Sequence, residues 1–125
     1  MSLVLAVLLS GIIPPDSTPA LQAVKTCDRT EIRKMISAEP HRRTEFAAAA
    51  YAEQRAIATE RTALLSGPTS SSPSGQATAA TAMASVDARQ RQLDDAKATE
   101  KLWRDLFDEM RADFLANCNG NRLEH

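Results

Sequence analysis

The two cysteines of the chain, Cys27 and Cys118, lie at the outer ends of two long segments that read as helices, with a serine-rich linker midway between them. Two long helices joined by a short linker generally fold back as an antiparallel hairpin. The cysteines are almost equally distant from the middle of the linker, so a hairpin places them at nearly the same height. The sequence therefore predicts a disulfide bond between them at the open end of the hairpin. Two buried reduced thiols are the alternative.

The first long segment carries helix signals at both ends. Asp28 and Glu31 have the spacing of a capping box, and strong helix formers continue to Gly67 and Pro68, which stop the helix. Pro40 interrupts the segment, so we expect either a kink near Pro40 or two abutting helices over about 29–38 and 40–66.

The second long segment is free of glycine and proline over residues 76–117, and no period-two strand pattern appears anywhere in the chain. The predicted fold class is therefore all-α. It is a long antiparallel helical hairpin of the coiled-coil kind, with helices at about 29–66 and 76–117 and a linker at 67–75.

The cysteines also predict a register for the hairpin. Residues that face each other across it should have numbers that sum to about 145, given the equal rise of both helices. With this register, apolar side chains meet apolar side chains. The predicted neighbours are Ile32 and Phe114, Ile36 and Met110, Ile57 and Val86, and, within one turn, Phe46 and Trp103.

The N-terminal 25 residues differ in composition from the rest. Residues 3–13 form an apolar run of about 11, too short to span a bilayer but typical of a signal-peptide hydrophobic region. Thr18, Pro19 and Ala20 offer a small-residue cleavage site, although no Lys or Arg precedes the run. Residues 14–25 contain three prolines, so we expect a linker through which no helix runs. Packing of the apolar run onto the fold is the alternative to export.

These observations predict three regions. Residues 1–25 are a signal-like apolar segment and proline-rich linker, residues 26–120 are the helical hairpin domain, and residues 121–125 are a C-terminal tail. The tail ends in Leu123, Glu124 and His125, which resembles the junction that leads into a histidine tag, so we leave it out of the fold.

Charge is nearly balanced, with 15 basic and 16 acidic residues, which argues against a general nucleic-acid binder. The most uneven feature is a basic stripe on the first helix. It could meet an anionic lipid headgroup, a cell-wall polymer or an acidic partner, or it could balance the acidic segment 105–113 that the register places beside it. The stripe consists of Arg29, Arg33, Lys34, Arg42 and Arg43.

Sequence motifs of catalysis, cofactor binding or metal binding are missing. There is no glycine-rich phosphate loop and no C-x-x-C-H haem motif. Only His41 lies outside the tail, and both cysteines are far from it, so we expect no zinc site. We therefore expect no catalytic residues, no cofactor and no enzymatic activity.

The apolar face of the second helix is wider than the seam of a two-helix contact requires. Something must cover it: residues 3–13, a second hairpin in a homodimer, or a foreign protein partner. Such a cover would complete a three- or four-helix bundle. The residues that we expect at this interaction surface are Trp103, Phe107, Met110 and Phe114.

The function predicted from these features is a non-enzymatic helical interaction or scaffolding module of the bacterial cell envelope, periplasmic or secreted. Its expected partner is a protein or a second copy of the chain. The N-terminal apolar segment could also contact a membrane surface. Two alternatives stay open. One is a small-molecule-binding or catalytic helical bundle with a pocket around Trp103, and the other is a cytoplasmic helical partner or chaperone protein with reduced thiols.

Overall fold

The computed structural model describes residues 16–67 and 73–118, which form three helices: α1 (Thr18–Lys25), α2 (Arg29–Ser66) and α3 (Pro73–Asn117). Side chains of α2 and α3 pair in antiparallel order along the length of both helices, and α1 packs against both of them. The predicted all-α fold is confirmed, and α1 adds a third helix at one end of the hairpin.

Helix α2 runs without a break through Pro40, so the expectation of two abutting helices is wrong. Pro40 lies on the exposed side of α2, where water can replace the backbone hydrogen bond that proline cannot make. The hydroxyl of Thr44 donates to the Pro40 carbonyl at 3.0 Å, which supports the turn that follows. The helix begins after the predicted Asp28 cap and ends before Gly67, whose N–H donates to the Ala63 carbonyl at 2.9 Å.

Helix α1 corrects the expectation that residues 14–25 form a linker without helix. Pro19 lies in the first turn of α1, where its missing N–H is not needed and its fixed φ favours the helix. Ala20 and Ala23 are buried because their small side chains let α1 approach the hairpin closely. Pro19 therefore does not prevent the helix, and the two buried alanines hold α1 against the hairpin. The apolar run 3–13 and the tail 121–125 lie outside the described residues.

The connection between α1 and α2 is a Schellman motif. The N–H of Cys27 donates to the Val24 carbonyl at 3.2 Å, and the N–H of Asp28 donates to the Ala23 carbonyl at 2.9 Å. Cys27 takes the left-handed conformation, with φ of 54°, which costs a residue with a Cβ roughly 1–2 kcal/mol. The Asp28 carboxylate then accepts the N–H of Glu31 at 3.1 Å and caps α2. One short turn thus ends α1, starts α2 and positions Cys27.

The predicted disulfide bond between Cys27 and Cys118 is present, with the two Cα atoms 5.4 Å apart. It joins the start of α2 to the end of α3, and we call this part of the molecule the disulfide end. Nη2 of Arg29 donates to the Cys118 carbonyl at 3.0 Å and adds a second tie between the two helices. The chain therefore closes at the end opposite its linker, as the spacing of the cysteines predicts.

Two apolar clusters lie along the hairpin and bear on the predicted register. Ile57 and Val86 share one cluster, as the register predicts, and Ile36 packs against the cluster that contains Met110. Phe46 does not join Trp103, because a polar layer separates them. The cluster near the linker contains Phe46, Ala50, Ile57, Val86 and Leu93. The cluster at the disulfide end contains Ala20, Trp103, Phe107 and Met110.

None of the three described helices combines the length and the apolar content that crossing a bilayer requires.

Removing the disulfide should destabilise the protein by roughly 4–5 kcal/mol, because the bond closes a loop of about 90 residues in the unfolded chain. The variant is Cys27→Ser with Cys118→Ser, and urea unfolding followed by far-ultraviolet circular dichroism measures the loss. Replacing Cys27 by Gly instead of Ser should recover about 1 kcal/mol, because glycine adopts the left-handed conformation without strain.

Addition of a reductant should shift the wild-type unfolding curve and leave both double variants unchanged. Equal stability of oxidised and reduced wild type would contradict the role assigned to the bond.

The middle of the hairpin should depend on one apolar contact, that between Ile57 and Val86, both 0% exposed. Ile57→Ala should lower the free energy of unfolding by about 2–5 kcal/mol through lost burial and the cavity left behind. The control is Leu65→Ala on the same helix, where Leu65 is 73% exposed and the change should stay within about 0.5 kcal/mol. Similar losses in the two variants would show that Ile57 is not in a core.

Candidate interaction surfaces at the disulfide end

A polar layer of charged side chains crosses the hairpin between the two apolar clusters. Glu39 of α2 and Glu100 of α3 are each only 5% exposed. Arg42 bridges them: its Nε donates to Glu39 at 3.0 Å and its Nη1 donates to Glu100 at 3.1 Å. Its Nη2 contacts both carboxylates as well. One guanidinium therefore holds two buried carboxylates from opposite helices.

The Glu39 carboxylate also anchors the apolar cluster at the disulfide end. Nε1 of Trp103 donates to it at 2.9 Å, and Nε of Arg43 donates to the same oxygen, also at 2.9 Å. The guanidinium of Arg42 lies 5.4 Å from the centroid of the Trp103 ring, which is within the range of a cation–π contact. Trp103 thus makes two kinds of contact: its ring packs in the apolar cluster with Ala20 of α1, and its indole N–H donates to Glu39.

Burial acts to raise the pKa of the Glu39 carboxyl, but hydrogen bonds from Arg42, Arg43 and Trp103 outweigh it and hold the pKa below its ordinary value of 4.5. Burial likewise acts to lower the pKa of Arg42, and the hydrogen bonds to Glu39 and Glu100 outweigh it, so the pKa is raised. Both directions favour the charged forms. Glu39 and Arg42 are therefore both charged throughout the neutral range.

A second polar layer lies nearer the linker. Nε of Arg89 on α3 donates to Glu53 of α2 at 2.9 Å, and the other oxygen of that buried carboxylate has no hydrogen-bond partner. Beside it, the side-chain amides of Gln54 and Gln90 bond each other reciprocally at 2.8 and 3.1 Å. Polar and apolar layers therefore alternate along the seam of α2 and α3.

The interaction surface predicted on α3 is largely covered by α1. Trp103, Phe107 and Met110 are each less than one tenth exposed, with Ala20 of α1 packed among them. Only Phe114 of the four is half-buried and borders an open cleft. The wide apolar face does require a cover, and a helix within the predicted linker provides it.

The basic stripe does not form one surface. Arg42 and Arg43 turn into the polar layer, and Arg29 binds the Cys118 carbonyl. The predicted balance with segment 105–113 holds for one pair, Arg43 with Asp108 at 3.4 Å. Among the described residues, Arg33 and Lys34 are exposed and take part in no ion pair.

Sequence reasoning missed the buried carboxylates of the polar layer. Glu39 precedes Arg42 by three residues, which places both on one face of α2, and the predicted register brings Glu100 within one turn of Arg42. That combination was the available signal. Acidic residues on a charged helix more often face solvent, so the sequence pattern does not predict that these two carboxylates are buried.

The small-molecule alternative needs a pocket in the apolar cluster that contains Trp103, Phe107 and Met110. The space beneath α1, next to Phe107 and Met110, measures about 10 Å³. Ligand sites are commonly about 300 Å³ or more. No three His, Cys, Asp or Glu side chains within residues 16–67 and 73–118 are grouped so that they could hold a metal ion.

Larger clefts open to solvent at the disulfide end, and two of them involve α3. The first, the α1–α3 groove, measures about 570 Å³ and is lined by Leu21, Val24, Leu106, Glu109, Met110, Ala112, Asp113 and Ala116. The second, the α2–α3 cleft, measures about 290 Å³ and is lined by Arg29, Arg33, Ile36, Phe114, Leu115 and Cys118. They share apolar floors but differ in the charge at their rims, acidic in the groove and basic in the cleft.

Comparison with known proteins gives no match to a protein-family model, a curated protein or a solved structure.

Stability should fall in acid because of Glu39. A carboxyl whose folded-state pKa is depressed stabilises the fold fully above its unfolded value, and that contribution is lost as the pH falls through the folded pKa. For Glu39 the loss lies below pH 4.5. Glu39→Gln should lower the free energy of unfolding at neutral pH by about 1–3 kcal/mol, as expected for lost charged hydrogen bonds, and should flatten the acid dependence.

Urea unfolding across a pH series measures this effect. The control is Glu45→Gln, since the Glu45 carboxylate is exposed and contacts the exposed His41 side chain at 3.0 Å. An acid slope in Glu39→Gln as steep as in the wild type would contradict the assignment.

Proposed function

We propose that the protein is a non-enzymatic helical interaction module of the bacterial cell envelope, periplasmic or secreted, and that it binds an amphipathic helix of a protein partner in the α1–α3 groove. The groove itself is the observation that carries the proposal. Its floor is apolar, it lies between two helices, and its length along α3 covers the two turns from Leu106 to Asp113 and beyond.

The shape of the groove fits recognition of a helix. An amphipathic helix binds by laying its apolar face into a hydrophobic groove between helices, with anchor residues at helical spacing. Leu21 on the α1 side is 48% exposed, and Leu106 and Val24 are half-buried. Ala112 and Ala116 are small and four residues apart on α3, which leaves room for the side chains of an incoming helix.

The charge of the rim indicates the chemistry of the partner. Glu109 and Asp113 are both exposed, lie four residues apart and border the groove. Like charges at this spacing repel each other weakly, and a cation from a partner would relieve that repulsion. We therefore expect a partner helix whose apolar stripe is flanked by lysine or arginine.

Three features support a rigid, extracytoplasmic module. The disulfide and the Schellman turn connect α1, α2 and α3 at the end where the groove lies. The polar layer anchors Trp103, on which α1 rests. A surface held in its binding conformation loses less entropy on association, and disulfides persist in oxidising compartments.

A synthetic helical peptide with a leucine and alanine stripe flanked by lysines tests the proposal. It should bind the full chain in fluorescence anisotropy, and the same peptide with glutamates in place of the lysines should bind at least about 10-fold more weakly. Ala112→Arg should also weaken binding of the lysine peptide about 10-fold by filling and charging the groove. The matched control is Ala98→Arg, at another exposed position of α3.

Equal binding of the two peptides, or equal binding by the two arginine variants, would overturn the proposal. Light scattering tests whether a second copy of the chain occupies the groove. A wild-type dimer that Ala112→Arg converts to a monomer would show that it does, in place of a foreign helix.

A further inference from the structure

The disulfide end carries basic side chains that do not take part in ion pairs within the described hairpin. Arginines 42, 43, 61 and 89 contact carboxylates within the hairpin. Arg33 and Lys34, by contrast, project from α2 and have no acidic partner in the described part of the chain. Two adjacent cations thus face solvent at the end of the molecule that the disulfide makes rigid.

These cations border two surfaces that share Arg33. One is the α2–α3 cleft, whose apolar lining comes from Ile36, Phe114 and Leu115. The other is a shallow shelf of about 570 Å³ on α2, where the hydroxyls of Thr30 and Ser37 stand beside Arg33 and Lys34. Cationic groups and hydroxyl donors therefore lie directly beside exposed apolar side chains.

The apolar part of this surface is open to contact. Leu115 is 53% exposed and Phe114 is half-buried, and both sit on the last turns of α3 next to Cys118. Exposed apolar surface thus lies beside cations that form no ion pair within the described residues. This combination is favourable at the boundary between lipid headgroups and acyl chains, where apolar and anionic groups meet.

We propose that the α2–α3 cleft and the adjoining shelf bind the surface of an anionic lipid bilayer. Arg33 and Lys34 contact lipid phosphates, Thr30 and Ser37 donate hydrogen bonds to them, and Leu115 enters the interfacial region. This assignment is independent of the α1–α3 groove, which lies on another face of α3 and carries the opposite charge at its rim.

The distribution of charge favours a lipid surface over other polyanions. The chain has a net charge of −1, so a long nucleic acid would meet repulsion beyond this patch. A membrane surface needs only a local patch, because its field decays within about a Debye length of roughly 8–10 Å. A few cations with one apolar anchor suit such a contact.

Co-sedimentation of the full chain with vesicles tests the proposal. The chain should bind phosphatidylcholine vesicles that contain phosphatidylglycerol and should bind pure phosphatidylcholine vesicles at least about 10-fold more weakly, since each basic residue contributes several-fold at an anionic surface. Arg33→Gln with Lys34→Gln should weaken binding to the anionic vesicles about 10-fold. The matched control, Arg91→Gln with Lys97→Gln, changes the same charge at exposed positions of α3 and should leave binding unchanged.

A second pair of variants tests the apolar contact. Leu115→Ser should weaken vesicle binding several-fold, whereas Leu102→Ser, at a position on the same helix that is 69% exposed, should not. Circular dichroism and the unfolding midpoint show that each variant remains folded.

Equal binding to neutral and anionic vesicles would overturn the proposal, because the N-terminal apolar run would then be driving the contact. The proposal would also be overturned if the two double variants weakened binding equally, since the net charge of the protein and not the position of the cations would then control binding.

Discussion

One guanidinium, that of Arg42, binds carboxylates from both long helices and so links α2 to α3 between the two apolar clusters. Glu39 and Glu100 are buried, and a buried charge left without its partner costs about 3–5 kcal/mol. Sliding α3 by one turn would separate Glu100 from Arg42. Alanine-rich helices can pack in several registers with similar apolar contact, so we infer that the ion pairs select one of them.

That register determines the rest of the disulfide end. With Glu100 beside Arg42, Trp103 reaches Glu39 and presents its apolar face to α1, and Cys118 arrives next to Cys27. The disulfide then stabilises a geometry that the side chains already favour. The same arrangement separates two surfaces of opposite rim charge, the acidic α1–α3 groove and the basic α2–α3 cleft, on which the two proposed interactions rest.

Much of the fold could be predicted from the sequence because its signals are local or symmetric. The Asp28 cap, the long runs without glycine or proline and the equal spacing of the cysteines yield the hairpin, its register and its disulfide. Helix α1 could not be predicted, because Pro19 reads as a break until the burial of Ala20 against Trp103 is known. The inward direction of the Arg42 ion pairs could not be predicted either, since charged residues on a helix look alike in sequence whichever way they point. For the same reason the sequence predicts a single basic stripe on α2 and cannot indicate that Arg42 and Arg43 point inward.

The coupling between Arg42 and Glu100 tests this account most directly. A double-mutant cycle compares the free energies of unfolding of the wild type, Arg42→Gln, Glu100→Gln and the double variant. We expect a coupling free energy of about 0.5–3 kcal/mol, the range typical of residues in one hydrogen-bond network. The more exposed pair Arg61 and Asp87 should give less than about 1 kcal/mol. A coupling near zero between Arg42 and Glu100 would contradict the claim that this pair sets the register.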